Sequence, residues 1–247
     1  MKIIISPAKK LTNHNISISN PSTIHFYEET KYLVDQLRNY TVADFKNIMS
    51  LSDNLAKLNF DRYQEWDLTS KKVNPAIFIF QGDVYKGLRA EDFSESELDF
   101  AQDNLRIISG LYGIVKPLDL IFPYRLEMGT HIETNFGSNL YEFWGEKLNH
   151  FLSSEMEPHD TLVNLASNEY SKALKLESMP QKIVTPIFKD YKNGKLKVIS
   201  FFAKKARGEM ANFIIKNRIS NSEDLKLFAN NGYVFSEHNN GEMIFTR

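Results

Sequence analysis

Apolar residues along the chain follow two spacings, and these predict two kinds of element. Short continuous apolar runs bounded by turn residues predict buried strands, at 2–6, 76–83, 105–113 and 161–167. Apolar residues three and four positions apart predict helices, at 26–40, 41–49, from 52 onward, 94–105, 139–152 and 200–219. Helices and strands alternate without a linker or a repeat. This predicts a single domain over 1–247, of α/β class with a mixed (α+β) sheet.

Local signals mark several of these boundaries. Two helix starts carry capping boxes, in which a Ser or Thr side chain and an acidic side chain three residues later satisfy free amide groups. They are Thr41 with Asp44 and Ser94 with Glu97. The strongest hairpin signal is Asn193-Gly194, which lies between two β-rich segments. A second hairpin is predicted at 232–247.

Composition places the chain among ordinary folded proteins. It has 247 residues, 42% hydrophobic residues and a formal net charge of −1. The absence of cysteine excludes disulfides, thiolate catalysis and cysteine-ligated metal sites. No segment has the apolar character of a signal peptide or the apolar length of a membrane span, so a cytoplasmic location is expected.

The small net charge hides a local asymmetry. Between Lys189 and Arg218, nine Lys and Arg residues accompany only two acidic residues. Between Glu91 and Asp103 there are six acidic residues and no Lys or Arg. A basic face on a nearly neutral protein indicates an anionic partner. The acidic segment is either a solvated helix face or, as a third hypothesis for function, a protein-binding surface.

The helix predicted at 200–219 carries most of the candidate anion ligands. On a helical projection its basic residues form two stripes beside an apolar arc. The candidate DNA- or phosphate-binding residues are Lys204, Lys205, Arg207, Lys216 and Arg218, with Lys9 from the first strand end. Gly208 allows a close backbone approach. Two interpretations stay open: a solvated amphipathic helix, and a site for an anion or a phosphate backbone.

Polar residues after three predicted strands form a second group of candidates. They are Ser6 after the first strand, Gln81 and Asp83 after the second, and Asn164 and Glu169 after another. Ligands bind at strand ends in α/β sheets, so these residues can converge on one pocket.

Charged residues in the apolar segment 105–130 extend this group. Arg106, Arg125 and Glu127 are costly in such surroundings unless they are paired. Arg125 and Glu127 share one face if their segment is a strand. A buried structural ion pair and a functional site are equally good explanations at this point.

Familiar catalytic and metal-binding patterns are absent or misplaced. The S-x-x-K and S-D-N patterns of serine β-lactamases occur at 6–9 and 52–54, but position 6 leaves no room for the strands that precede the serine. The six histidines, His14 among them, form no i, i+4 pair and no HExxH motif. No P-loop, GxGxxG or GxSxG motif occurs. We therefore expect no metal and no cofactor.

The segment 41–66 predicts two short helices around a tight link. This outline matches a helix-hairpin-helix element, in which hairpin amides hold a DNA phosphate. However, Lys57 and Asn59 stand where such hairpins have glycine. An ordinary αα-hairpin is the alternative that the residues alone favour. The apolar positions of the second helix are Leu55, Leu58 and Tyr63.

An ordered set of motifs spans almost the whole chain. In order they read "ISPAK", "QGDVYKGL", "ISGLYG", "KPLDLI", "PYRLEMG", "NLASNEY" and "ISFFAKKARGEMANFII". Together they resemble the bacterial YaaA peroxide-stress family, from about residue 2 to residue 245.

The resemblance implies a cytoplasmic protein, induced in peroxide stress, that limits harm from intracellular iron and binds double-stranded DNA. It also implies a single α/β domain with a basic cleft and a helix-hairpin-helix element, here at Ser52 to Arg62. The segment "FFAKKARG" then becomes the expected place of the phosphate contacts.

Chemistry narrows this expectation. Without cysteine there is no thiol peroxidase activity, and without clustered His or carboxylate ligands ferritin-like iron storage has no support. We predict sequence-tolerant binding of double-stranded DNA through about three to six phosphate contacts, and whether any reaction is catalysed stays open. The alternative is an enzyme that acts on a nucleotide or a damaged base in the polar pocket, or that pocket holding another small anionic ligand.

Overall fold

The computed structural model of the chain describes residues 1–12 and 16–247, so His14 lies outside the described residues. The strands are β1 (Lys2–Ile5), β2 (Lys10–Leu11), β3 (Asn74–Pro75), β4 (Phe80–Gln81), β5 (Leu105–Ser109), β6 (Gly113–Val115), β7 (Leu120–Ile121), β8 (Thr161–Asn164), β9 (Lys182–Lys192), β10 (Lys195–Lys197), β11 (Val234–Asn239) and β12 (Glu242–Thr246). The α-helices are α1 (Tyr27–Arg38), α2 (Val42–Ile48), α3 (Asp53–Gln64), α4 (Ala76–Ile79), α5 (Asp83–Leu88), α6 (Glu95–Asn104), α7 (Leu140–Trp144), α8 (Lys147–Ser154), α9 (Asn168–Ser171) and α10 (Ser200–Lys216). None of these helices is long and apolar enough to cross a membrane.

One mixed sheet organises the molecule, in the order β11-β12-β9-β8-β1-β5-β6. The strands from β12 to β5 run parallel to their neighbours, and β11 and β6 are antiparallel at the two edges. β1, β5 and β8 are almost entirely buried, as expected for parallel strands covered on both faces. The predicted mixed α/β sheet is confirmed, and its core is one continuous cluster of buried apolar residues.

Most of the local signals are confirmed. The two predicted capping boxes form reciprocal hydrogen bonds at the starts of α2 and α6. The Asn193-Gly194 turn connects β9 to β10, and Asn240-Gly241 connects β11 to β12. All four of these residues have positive φ. Two successive positive φ angles define a type I′ turn, for which Asn-Gly is a preferred pair.

Three expectations about the elements need correction. The apolar run 76–83 is not one strand but the short helix α4 between strands of two residues, because a continuous apolar run suits any fully buried element. The helix predicted at 139–152 is interrupted by Gly145, whose φ of +51° separates α7 from α8. Leu55 and Leu58 of α3 are exposed although Tyr63 is buried. Helical spacing alone therefore did not identify the inward face of α3.

Helices α5 and α10 cross at a pair of glycines. A Cβ atom on Gly208 would lie 1.8 Å from the Val84 carbonyl oxygen, and one on Gly87 would lie 2.2 Å from the Lys205 carbonyl oxygen. Neither helix therefore tolerates a side chain at the crossing. The close approach allowed by Gly208 is thus to α5, not to a ligand, and it positions the side chains that both helices contribute to one cavity.

Candidate functional site

Two neighbouring parallel strands end side by side and begin the site. Ser6 follows β1 and Ser167 lies three residues beyond β8. The Ser6 hydroxyl oxygen accepts a hydrogen bond from the Ser167 amide at 2.8 Å. Tyr85 of α5 donates its hydroxyl hydrogen to the Ser6 carbonyl oxygen at 3.2 Å. These contacts hold α5 against the carboxyl edge of the sheet, where α/β proteins bind ligands.

A cavity of about 300 Å³ opens at this edge, and we call it the strand-end cavity. The residues proposed from the sequence that line it are Ser6, Lys9, Gln81, Asp83, Glu169, Lys204 and Arg207. Tyr85 and Tyr170 add aromatic surface. The structure thus brings polar residues of the strand ends and part of the basic helix together, so members of both groups of candidates line one cavity.

A loop that follows β7 borders the cavity through charged contacts. Lys9 Nζ lies 2.5 Å from Glu127 Oε2, and the Arg125 guanidinium lies 3.0 Å from Glu127 Oε1. The Gly129 amide donates to Glu169 at 3.1 Å. Arg125 and Glu127 therefore pair, although their segment is a loop and not a strand. Because Glu127 contacts both cations, Lys9 is partly neutralised at the cavity wall.

Arg207 is the least compensated charge in the cavity. Its side chain is half-buried, and within the described ranges it forms no ion pair and no hydrogen bond. Desolvation lowers the pKa of the Arg207 guanidinium, and no neighbouring carboxylate offsets this effect. Lys204, almost one turn earlier on α10, is exposed and likewise contacts no described carboxylate. Together, Arg207 and Lys204 form what we call the cationic corner, whereas Lys205 contacts Glu209 at 3.6 Å.

Lys216 and Arg218 lie at the opposite end of α10, against the acidic segment. Lys216 Nζ is 3.9 Å from Glu97, and the Arg218 guanidinium donates to the Ser96 carbonyl oxygen at 3.5 Å. Lys204 and Lys216 are separated by about 18 Å of helix at 1.5 Å per residue. The basic residues counted from the sequence therefore fall into two sets. Those at the far end of α10 are compensated by the acidic segment, and those at its start are not.

Arg106 and Asn164 lie outside the strand-end cavity, in contrast to the expectation from sequence. Arg106 Nε lies 2.6 Å from Glu155, and its guanidinium also donates to two backbone carbonyl oxygens. Burial alone would raise the pKa of Glu155, but the hydrogen bond and charge of Arg106 outweigh it and lower that pKa. Asn164 accepts from the Ala166 amide at 3.1 Å and shapes the turn after β8. The polar atoms of both residues are used within the fold.

The β9–β10 hairpin has two distinct exposed faces, and residues 191–198 are here called the lysine ribbon. Lys192 and Lys195 lie directly opposite each other, and Tyr191 lies opposite Leu196 on the other face. The ribbon lysines contact no described carboxylate, and Tyr191 is 67% exposed. The sequence analysis counted these lysines in the local charge but did not identify the surface. The lysines on both sides of the Asn-Gly turn could have indicated this basic surface from the sequence.

The segment considered as a helix-hairpin-helix element is an αα-hairpin of α2 and α3. Ser50 in its link has φ of +49°, and Lys46 pairs with Asp53 across the link at 2.6 Å. Tyr63 of α3 donates to the Arg125 carbonyl oxygen at 2.9 Å, which ties the hairpin to the loop beside the cavity. A DNA contact by this hairpin stays a prediction.

The fold and site define an α/β protein with a small cavity at the carboxyl edge of its parallel strands and a cationic corner in the cavity wall. The chain belongs to the YaaA family, because the family model for peroxide stress protein YaaA matches residues 1–239. This membership supports a role in oxidative stress.

Proteins named UPF0246 are similar to this chain over nearly their whole length. The relative from Aliivibrio fischeri strain MJ11 is 51% identical over 242 residues, covering 96% of this chain and 93% of the relative. The relative from Saccharophagus degradans is 46% identical over 255 residues, covering 100% and 99%. The relative from Marinomonas sp. strain MWYL1 is 49% identical over 236 residues, covering 94% and 91%.

Proposed function

We propose that this peroxide-stress family protein binds double-stranded DNA through the lysine ribbon and the cationic corner. The proposal rests on the position of the positive charges that have no carboxylate partner. Of the seven Lys and Arg residues between positions 189 and 207, only Lys205 contacts a described carboxylate. Elsewhere in the described chain, most Lys and Arg residues contact one. A local excess of unpaired cations attracts a phosphate backbone.

The shape of the ribbon suits a duplex. The major groove of B-DNA admits a two-stranded β-ribbon. Lys192 and Lys195 face each other across the ribbon, an arrangement that is unfavourable between like charges in the free protein. Phosphates along a groove would offset this repulsion, while Tyr191 and Leu196 offer apolar surface to sugars and base edges.

Binding of this kind is electrostatic and tolerant of sequence. Each neutralised phosphate releases condensed counterions, so about three to five lysine contacts give micromolar binding at low salt that weakens steeply as salt rises. Contacts to phosphate position a protein on DNA but carry no sequence information directly. The ribbon therefore suits a protein that covers DNA broadly, not one that selects a site.

Counterion release also links DNA binding to iron-dependent damage. Ferrous ions are cations and join the counterions held at DNA phosphates. Lysines that occupy these phosphates displace the ions, so peroxide reacts with iron farther from the DNA. Within residues 1–12 and 16–247, no group of three His, Asp or Glu side chains could hold a metal ion. The proposed protection does not require one.

Fluorescence anisotropy of a short labelled duplex at low salt tests the DNA proposal. Lys192→Glu/Lys195→Glu should weaken binding by at least about tenfold, because two phosphate contacts become repulsive. Lys204→Glu should weaken it by a smaller factor. The matched control is Lys31→Glu/Lys72→Glu, which changes the net charge equally at lysines that are ion-paired elsewhere.

The control variant should bind almost as tightly as the wild type. Unchanged binding by the ribbon variant would refute the proposal. Equal losses in the ribbon and control variants would also refute it, since they would assign the effect to net charge and not to the ribbon.

A further inference from the structure

We propose that the strand-end cavity binds a nucleoside monophosphate whose phosphate is held by Arg207 and Lys204. The inference rests on the cavity and does not depend on DNA binding, although the two proposals share the cationic corner. It concerns binding, which any chemistry on a nucleotide in this cavity would require first.

Arg207 provides the first argument. A cation withdrawn from water destabilises a fold unless an anion compensates it. Arg106, Arg125 and Arg247 each lie within 3.0 Å of a carboxylate oxygen. Arg62, which is also partly buried, donates to the Asn59 amide oxygen instead. Arg207 has neither a carboxylate nor a hydrogen-bond partner among the described residues, and it lines a cavity. The compensating anion is therefore expected from a ligand.

The position and size of the cavity suit a small phosphate ester. Its volume of about 300 Å³ is at the lower end of the range for ligand pockets. A guanidinium binds phosphate through two parallel hydrogen bonds, and an ammonium adds a compact point charge. Arg207 and Lys204 are three residues apart, so they project from one face of α10 and present both groups together.

The remaining walls suit a nucleoside better than a bare anion. Asp83 and Glu169 line the same cavity, and their carboxylates accept hydrogen bonds from sugar hydroxyl or base amino groups. The same carboxylates would repel negative charge beyond that of a single phosphate group. Tyr85 and Tyr170 are buried aromatic side chains that offer apolar surface to a base. The chemistry of the lining therefore suits a ligand that has one anionic group and a neutral part rich in hydrogen-bond donors.

Isothermal titration calorimetry on the intact chain tests this site. The probes are AMP, GMP, CMP and UMP, their nucleosides, and inorganic phosphate. At least one monophosphate should bind more tightly than its nucleoside and than inorganic phosphate. Arg207→Gln should weaken that binding about 10- to 100-fold, because charge-assisted hydrogen bonds are lost. Lys216→Gln, at an ion-paired lysine on the far end of the same helix, is the control and should bind as the wild type does.

Three results would overturn the proposal. They are no binding of any monophosphate to the folded wild type, equal binding to wild type and Arg207→Gln, and inorganic phosphate binding as tightly as every monophosphate. Arg207→Lys keeps the charge and should retain more affinity than Arg207→Gln, which guards against a folding artefact. Lys192→Glu/Lys195→Glu should bind the monophosphate normally, so a failure of the DNA proposal is distinguishable from a failure of this one.

Discussion

Arg106 and Arg207 are both shielded from bulk water, yet their surroundings differ. Arg106 is 1% exposed, and its guanidinium contacts Glu155 and two backbone carbonyl oxygens. Arg207 is half-buried in a cavity wall and contacts no carboxylate within the described ranges. In the sequence both stand among apolar residues and both are candidates for a site. The difference teaches that burial alone does not identify a structural arginine, and that the partners of a shielded charge must be known as well.

The largest effect is expected when the compensated pair is broken. Glu155→Ala should lower the free energy of unfolding by about 3 kcal/mol, because Arg106 would remain as a buried charge without its carboxylate. Urea denaturation monitored by circular dichroism measures this change. Arg207→Gln is the matched comparison and should leave the stability unchanged or raise it slightly, because an uncompensated charge is removed. A large loss for Arg207→Gln, with little loss for Glu155→Ala, would reverse the assignment of the two arginines.

A somewhat smaller effect is expected at the helix crossing that positions Arg207. Gly208→Ala should cost about 1 to 3 kcal/mol, because the new methyl group overlaps the Val84 carbonyl oxygen and forces α5 and α10 apart. The same denaturation experiment measures it. The control is Gly129→Ala, whose Cβ would come no closer than 3.5 Å to Glu169. Equal stability of the two variants would show that the glycine crossing does not constrain the cavity.

The pH dependence of stability should also separate the two arginines. The folded-state pKa of Glu155 lies below its ordinary value of 4.5. Its contribution to stability is therefore complete above that value and is lost as the pH falls through the lower, folded-state pKa. In thermal unfolding from pH 6 downward, the wild type should lose this contribution to its melting temperature, and Glu155→Ala should show no such loss. Arg207→Gln should keep it, since arginine stays protonated throughout this range. Identical pH profiles for wild type and Glu155→Ala would contradict the assignment.

The smallest effect on stability concerns the lysine ribbon. Lys195→Glu replaces a pair of like charges with a pair of opposite charges, so the melting temperature should rise slightly. The same change should weaken duplex binding, because a phosphate contact is removed. Differential scanning calorimetry and anisotropy on one preparation check both outcomes. A fall in melting temperature together with unchanged DNA binding would show that Lys195 stabilises the fold and does not contact DNA.

Much of the fold was predictable because its signals are local. Capping boxes and Asn-Gly turns depend on residues close in sequence, and those of α2, α6 and both hairpins are confirmed. The run 76–83 was assigned to the wrong element because burial on all sides removes the periodicity that distinguishes a helix from a strand. The exposed face of α3 likewise depends on which neighbours cover it, and sequence spacing does not contain that information.

The residues that line the strand-end cavity were predictable in part, but the partners of the charged candidates were not. Strand-end chemistry led to Ser6, Asp83 and Glu169, which the structure places on one cavity. It could not show that Arg106 contacts Glu155, because these residues are 49 positions apart in the chain. Nor could charge counting show that Lys216 lies against Glu97. Which charges remain free is a property of the tertiary structure.

Whether the lysine ribbon contacts phosphates is measured most directly by the salt dependence of duplex binding. For the wild type, the logarithm of the association constant should fall with the logarithm of salt concentration with a slope of about −2.7 to −4.5. Lys192→Gln/Lys195→Gln should reduce the magnitude of that slope by about 1.8, since each lost contact removes about 0.9. An unchanged slope in this variant would contradict the assignment of the ribbon lysines to DNA phosphates.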